Sequence, residues 1–102
     1  MSVKLTMENF NEEVMKTESK VVIDFWAKWC GPCRMLLPIV DELSNELKEV
    51  KVCKVDIDEQ PELASKFHIM AIPTVLIVKE GKIENRLIGL QEKRTILEAI
   101  NA

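Results

Sequence analysis

The sequence predicts an α/β fold, a central mixed β-sheet of four or five strands flanked by four helices. Strand-like segments rich in β-branched residues alternate with helix-like amphipathic segments along the 102 residues. Residues 21–26 are nearly all apolar, as in a strand that is buried on both faces. Near the end of the chain, Glu80 and Gly81 separate two strand-like segments, which is typical of a tight hairpin turn. Together these observations favour parallel strands with helical crossovers and one antiparallel hairpin.

The first half of the chain predicts two strands and two helices. A short strand is expected at residues 3–5, and Thr6 is suited to cap a helix over residues 7–16. The strand at residues 21–26 leads into a long helix that opens near Cys30 and ends near Glu49. Pro38 lies inside that helix, where it removes a hydrogen bond, so we expect a kink there.

The second half predicts three more strands and two more helices. They are a strand over 50–57, a short helix from Pro61 through Phe67, strands over 74–78 and 82–88, and a final helix over 92–101. Strands that are separated by helices are expected to be parallel neighbours with right-handed crossovers. Only the final hairpin is then antiparallel, and helices cover both faces of the sheet.

Length and composition indicate one domain over residues 1–102. The chain is 47% hydrophobic and 30% charged, as in ordinary globular proteins. A net charge of −3 argues against nucleic acid as a partner, since phosphate binding needs clustered Lys and Arg. No segment approaches the roughly 20 apolar residues of a membrane span. The first ten residues lack the basic and apolar regions of a secretory signal, so a cytoplasmic location is expected.

The pair Cys30 and Cys33 is the strongest chemical signal in the sequence. Positions i and i+3 of a helix hold their Cβ atoms about 5–6 Å apart, close enough to form a disulfide after a small local adjustment. At a helix N-terminus the free N–H groups favour a thiolate, which is the nucleophile of disulfide exchange. Cys30 is nearer the helix start, so we expect it to be exposed and to attack. We expect Cys33 to be shielded and to act as the resolving thiol.

Two other interpretations of the cysteine pair stay open at this point. The pair could be half of a zinc site, although zinc normally takes four ligands and only Cys53 and His68 remain as further Cys or His ligands. It could also be two core cysteines. Cys53 itself is expected to be a buried, small apolar residue on the opposite face of its strand from Lys54. His68 is expected to be an exposed surface residue.

The sequence resembles the thioredoxin family over nearly its whole length. The resemblance is carried by residues 22–27, the Trp29-Cys30-Gly31-Pro32-Cys33 element, Pro38, residues 55–58, Ile72-Pro73-Thr74, Gly81 and Gly89. The five-residue element is specific within the wider superfamily, and its Gly31-Pro32 pair is typical of the reducing members. The resemblance implies the thioredoxin fold and the reduction of protein disulfides through a reversible Cys30–Cys33 disulfide.

The resemblance also assigns roles to single residues. It implies that Asp24 accepts the proton of Cys33 and that Lys54 is its partner. It implies a cis peptide bond at Pro73, and support of the active-site loop by Trp26 and Asp58, with Pro38 as a further structural residue. The residues that would contact substrate are Trp29, Gly31, Pro32, Ile57, Ala71, Ile72, Pro73, Ile88 and Gly89. From the residues alone, Asp24 could equally be a strand-end residue that faces solvent. A lysine in the middle of a strand, such as Lys54, is unusual unless it is paired, although a solvated strand residue stays an alternative. Each isoleucine could be plain core.

The resemblance extends to partners. It implies disulfide-containing protein substrates and a thioredoxin reductase that draws on NADPH, with no cofactor or metal bound to this chain. We expect a monomer that binds neither nucleic acid nor membrane. Two rival functions stay open: a related enzyme that mainly oxidises or isomerises disulfides, and a binding module that uses the fold as a scaffold.

Overall fold

The computed structural model describes residues 2–102. The predicted domain also includes Met1, which lies outside the described residues. In chain order the elements are β1 (Val3–Lys4), a π-helical turn (Asn11–Met15), β2 (Lys20–Trp26), α1 (Gly31–Glu46), β3 (Lys51–Asp56), α2 (Pro61–Lys66), β4 (Thr74–Lys79), β5 (Lys82–Ile88) and α3 (Lys93–Ile100). The predicted order of strands and helices is therefore confirmed, and the fold is an α/β fold consistent with the thioredoxin fold.

The described strands form one five-stranded mixed sheet in the order β1-β3-β2-β4-β5. β3 is parallel to both β1 and β2, whereas β4 is antiparallel to both β2 and β5. The register places Asp24 of β2 beside Lys54 of β3, and Lys54 beside Lys4 of β1. Since side chains of register partners share one face of a sheet, these three residues lie on the same face.

The expectation of parallel neighbours is wrong for β4, which follows a helix but runs antiparallel to β2. The segment between β3 and β4 begins and ends at one end of the sheet, since Ile57 and Ile72 both pack against the cysteine pair. The chain therefore enters β4 at the end of the sheet where β2 and β3 end, and Thr74 pairs with Phe25. That end of the sheet carries Trp26, Asp56, Thr74 and Ile88, and it is where the predicted site lies.

The predicted helix over residues 7–16 is only partly correct. Thr6 does cap it, because the Asn9 N–H donates to Thr6 Oγ1 at 3.3 Å while the Thr6 N–H donates to Asn9 Oδ1 at 2.7 Å. The helix then widens, and the Lys16 N–H donates to the carbonyl of Asn11, five residues earlier, at 2.9 Å. The regular part is therefore the π-helical turn alone.

Two apolar clusters cover the two faces of the sheet. One face, with Ile23, Phe25 and Val55, packs against the π-helical turn and α2. The other face packs Val22 and Val52 against the buried side of α1 and α3. Because side chains alternate along a strand, Asp24 is on the Val22 face, beneath α1.

The hairpin between β4 and β5 follows its prediction closely. Glu80 and Gly81 both have positive φ, of 50° and 80°, as a two-residue type I′ turn requires. The register shift between Ile77 and Val78 in this hairpin was not predicted. The long helix ends at Glu46, three residues before its predicted end, because Leu47 is extended, with φ −90° and ψ 118°. In the described part of the chain, no helix is both long and apolar enough to cross a membrane.

Candidate active site

The two cysteines lie at the start of α1 and form a disulfide, with their Cα atoms 5.2 Å apart. Cys30 is the N-cap residue, and Gly31 and Pro32 occupy the first helical positions. The backbone N–H of Cys33 donates to the Sγ of Cys30 at 3.3 Å. A donor at this position stabilises negative charge on that sulfur. The local geometry therefore favours a thiolate at Cys30 once the disulfide opens.

The expected exposure of Cys30 is wrong in this oxidised state. Cys30 is only 6% exposed and Cys33 is fully buried. The difference arises because both cysteines pack with Ala27, and Trp26, Ile57 and Ile72 lie against them. The expected order of exposure still holds, since Cys30 is the more exposed of the two cysteines. The accessible part of Cys30 therefore lies among apolar side chains.

The residues on either side of the loop are held by side-chain hydrogen bonds. Trp29 is 67% exposed, and its indole Nε1 donates to Asp58 Oδ2 at 2.8 Å. Arg34 donates to the carbonyl of Lys28 at 2.8 Å, which ties the loop to the first turn of α1.

The Nε1 of Trp26 is buried and has no hydrogen-bond partner among the described residues. A side chain added at Gly31 would meet no atom within 4 Å, so packing within the chain does not require glycine there.

An open cavity of about 190 Å³ lies beside the loop, and we call it the apolar groove. Its lining contains no charged residue and consists of Trp29, Ile57, Ala64, Ile69, Met70, Ala71 and Ile72. Four of these seven were predicted as substrate contacts. Ala64, Ile69 and Met70 were missed, although Met70 is 95% exposed. Met70 lies between segments with helical or strand periodicity, so the sequence gives no signal that this methionine lines a groove.

Three further predicted contact residues, Pro73, Ile88 and Gly89, meet at the start of β4. The Ile72–Pro73 peptide bond is cis, the isomer that the resemblance implies. The Gly89 N–H donates to the carbonyl of Pro73 at 2.8 Å, and the Thr74 hydroxyl donates to the carbonyl of Ala71 at 2.7 Å. Ile88 is exposed beside them, as the register partner of Thr74. These bonds fix residues 71–73 as an edge next to the apolar groove.

Asp24 is a completely buried carboxyl in an otherwise apolar strand. Neither of its oxygens has a hydrogen-bond partner among the described residues. Burial raises the pKa of Asp24 to about 7, against the opposing charge of Lys54 and with a smaller upward contribution from the Asp41 carboxylate. The alternative of a solvated strand residue is therefore wrong for Asp24. A carboxyl with this pKa can exchange protons at neutral pH.

Lys54 is half-buried beside Asp24 and lines a second cavity, of about 210 Å³. The other residues that line this cavity are Lys4, Trp26, Lys28, Asp56 and Glu59. Glu59 binds both Lys4 and Lys28, at 3.2 and 3.7 Å. Lys54 therefore lies in a polar cavity, together with charged side chains from β1, from the end of β3 and from the loops that follow β2 and β3.

The other ligand-type residues lie apart from the dithiol. Among residues 2–102, no three His, Cys, Asp or Glu side chains are grouped so that they could hold a metal ion. Cys53 is a free, fully buried cysteine whose pKa burial raises to about 12, with Glu13 adding to the effect and Lys51 opposing it. His68 is exposed, as expected, and has a positive φ of 55°.

Comparisons with known proteins agree on one family. The family model described as Thioredoxin matches residues 1–102. The protein named Thioredoxin from Rickettsia bellii (strain RML369-C) is 47% identical over 102 residues, covering 99% of this chain and 97% of the relative. Thioredoxin from Bacillus subtilis (strain 168) is 40% identical over 100 residues, covering 97% and 94% of the two chains. Thioredoxin 1 from Synechococcus elongatus is 39% identical over 102 residues, covering 99% and 95%.

Proposed function

The chain belongs to the thioredoxin family and is a protein dithiol–disulfide oxidoreductase, and we propose how its residues divide the reaction. The Cys30 thiolate attacks one sulfur of a protein disulfide. A bond forms between Cys30 Sγ and that sulfur, and the other substrate sulfur leaves as a thiolate that takes a proton from solvent. The observation that carries this assignment is the Cys33 N–H directed at Cys30 Sγ, at 3.3 Å.

Cys33 completes the reaction in the second step. Its thiol proton passes to an oxygen of Asp24, and the resulting thiolate attacks Cys30 Sγ. The Cys30–Cys33 bond forms, the second substrate sulfur leaves as a thiolate, and two electrons have passed to the substrate. Asp24 is suited to this task because its pKa of about 7 lets it accept a proton at neutral pH and release it afterwards. Its position on the α1 face of β2 supports the same role.

The substrate binds across the apolar groove and the edge formed by residues 71–73. The groove has no charged residue in its lining, and it lies beside the loop that carries Cys30. The hydrogen bonds from Thr74 and Gly89 hold this edge in place. An extended substrate segment would pair with the backbone of residues 71–73 while its apolar side chains enter the groove.

The oxidised chain must be reduced again before the next cycle. We assign that step to a thioredoxin reductase that takes its electrons from NADPH, in the cytoplasm, with this chain acting as a monomer. Oxidation of NADPH that depends on both a flavin-dependent thioredoxin reductase and this chain is the expected result. If the flavin-dependent thioredoxin reductase left the Cys30–Cys33 disulfide intact, the assignment of this type of reductase would be wrong.

Trapping the reaction intermediate tests the division of roles between the cysteines. With Cys33→Ser the second step is blocked, so a mixed disulfide between Cys30 and an insulin chain should accumulate and be visible by mass spectrometry. Cys30→Ser is the matched control and should trap little, because Cys33 is fully buried. Equal trapping through Cys33 would overturn the assignment of Cys30 as the nucleophile.

A further inference from the structure

Met70 is the most exposed sulfur-containing residue in the part of the chain that the structure describes. It is 95% exposed, whereas Met35 is 63% exposed and Met7 and Met15 are each 46% exposed. A thioether has no thiolate form, so its reaction with a peroxide depends mainly on how freely the peroxide reaches the sulfur. Among these four methionines, exposure therefore favours reaction at Met70.

The cysteines offer no competing thiolate in the oxidised chain. Cys30 and Cys33 are joined in the disulfide, and both are buried. Cys53 is buried as well, and burial raises the pKa of its thiol to about 12, so this thiol stays protonated at neutral pH. Once the dithiol has been oxidised, the sulfur of Met70 is therefore the one that a peroxide reaches most easily.

The position of Met70 gives its oxidation a consequence for substrate binding. Met70 lines the apolar groove together with Trp29, Ala71 and Ile72, and no charged residue belongs to that lining. Ile72 also packs against the cysteine pair, so the groove begins next to the reacting sulfurs. A sulfoxide is polar, so its burial beneath an apolar substrate segment is less favourable than burial of the thioether.

We propose that Met70 is a site of reversible oxidation by peroxides, and that its sulfoxide weakens the binding of protein substrates in the apolar groove. The thioether sulfur attacks one oxygen of hydrogen peroxide, so an S–O bond forms and the O–O bond breaks. The other oxygen leaves as hydroxide and takes the proton of the transferred oxygen to form water. Met70 is thereby oxidised by two electrons, and methionine sulfoxide reductases would return it to the thioether. The inference rests on the proposed role of the groove in binding substrate.

The test treats the oxidised protein with hydrogen peroxide, so that the disulfide protects Cys30 and Cys33, and then removes the peroxide. Peptide mapping by mass spectrometry should find the sulfoxide at Met70 before it appears at Met35. In insulin reduction with dithiothreitol, kcat/KM should then be roughly threefold lower than before treatment, as expected for the loss of one apolar contact. The reaction with a small aromatic disulfide should change much less.

Two leucine variants locate the effect, since leucine is apolar and has no sulfur to oxidise. Each variant is compared with its own untreated sample. Met70→Leu should keep its untreated kcat/KM for insulin, whereas Met35→Leu, the matched control on α1, should lose as much as the original protein. Slower oxidation of Met70 than of Met35, or an equal loss of activity in Met70→Leu, overturns the inference.

The charged variant Met70→Glu separates this inference from the function on which it rests. If full oxidation of Met70 leaves kcat/KM for insulin unchanged while Met70→Glu lowers it, the inference alone is overturned. If neither change lowers kcat/KM for insulin, the apolar groove is not where the substrate binds, and the proposed function of the groove is contradicted as well.

Discussion

Asp24 shows at the scale of one residue how burial turns a common side chain into a reactive one. From the sequence it is a single acid in an apolar strand, and the residues alone did not decide between a buried and a solvated position. The structure buries it completely, and burial raises its pKa to about 7. Burial depends on the helix packed over the strand, so the local sequence could not settle it.

Burial of Asp24 makes the stability of the protein depend on pH. The folded protein retains the Asp24 proton up to about pH 7, whereas the unfolded chain loses it near 3.8, so stability falls as pH rises between these values. The difference of about three pKa units corresponds to about 4 kcal/mol at most. We therefore expect Asp24→Asn to be more stable than the original protein at pH 8, by up to that amount, and the gain to shrink towards pH 4.

Urea unfolding of the oxidised proteins at pH 5 and pH 8 measures this effect. Glu8→Gln, which removes an exposed carboxyl, is the control and should change little at either pH. The quantity to compare is the gain in unfolding free energy of Asp24→Asn over the original protein. A gain that is no larger at pH 8 than at pH 5 would show that Asp24 is not a buried acid in solution.

At the scale of elements, the sequence predicted every strand and helix in order but not every connection between them. Hydrophobic pattern and turn residues sufficed for β2, α1 and the Glu80–Gly81 turn, because those signals are local. The antiparallel direction of β4 was missed because it depends on the end of the sheet to which the segment after β3 returns, and no local pattern reports that. This return places Ile72 beside the cysteines and brings Ala71 and Met70 into the groove lining, so the apolar groove was predicted only in part.

Met70 supplies a test of the apolar groove. A negative charge there should weaken the binding of apolar substrate segments, so we expect Met70→Glu to lower kcat/KM for insulin roughly fivefold, about the loss of one buried apolar contact. The reaction with a small aromatic disulfide should change much less, because that substrate does not span the groove. Steady-state assays with both substrates measure the difference.

Met15→Glu provides the matched comparison for Met70→Glu. Met15 is also exposed, but it lies beside Gly81, at the hairpin end of the sheet that is opposite to the dithiol. Its replacement should leave both activities close to the original values. Equal losses in the two variants would mean that charge in general, rather than the groove, affects the reaction.

At the scale of the whole molecule, the sheet and its two apolar clusters hold the fold together. The disulfide closes a very short loop, because the two cysteines are only three residues apart in sequence. Such a loop removes little freedom from the unfolded chain, roughly 2 kcal/mol. The bond can therefore open and close during the reaction while the rest of the fold stays in place.

Reduction of the disulfide should lower the free energy of unfolding by roughly 2 kcal/mol or less. The prediction of one domain over residues 1–102 implies a single cooperative transition in both redox states. Urea unfolding followed by tryptophan fluorescence and by far-ultraviolet circular dichroism measures both quantities. Transitions that do not coincide would contradict the single domain, and a much larger loss on reduction would indicate a structural disulfide.

Reduction of insulin by dithiothreitol, with and without the purified protein, tests the central claim most directly. The original protein should accelerate precipitation of the freed insulin chain strongly, and Cys30→Ser should not exceed the rate with dithiothreitol alone. No acceleration by the original protein, or equal acceleration by Cys30→Ser, would contradict disulfide reduction through the Cys30–Cys33 pair.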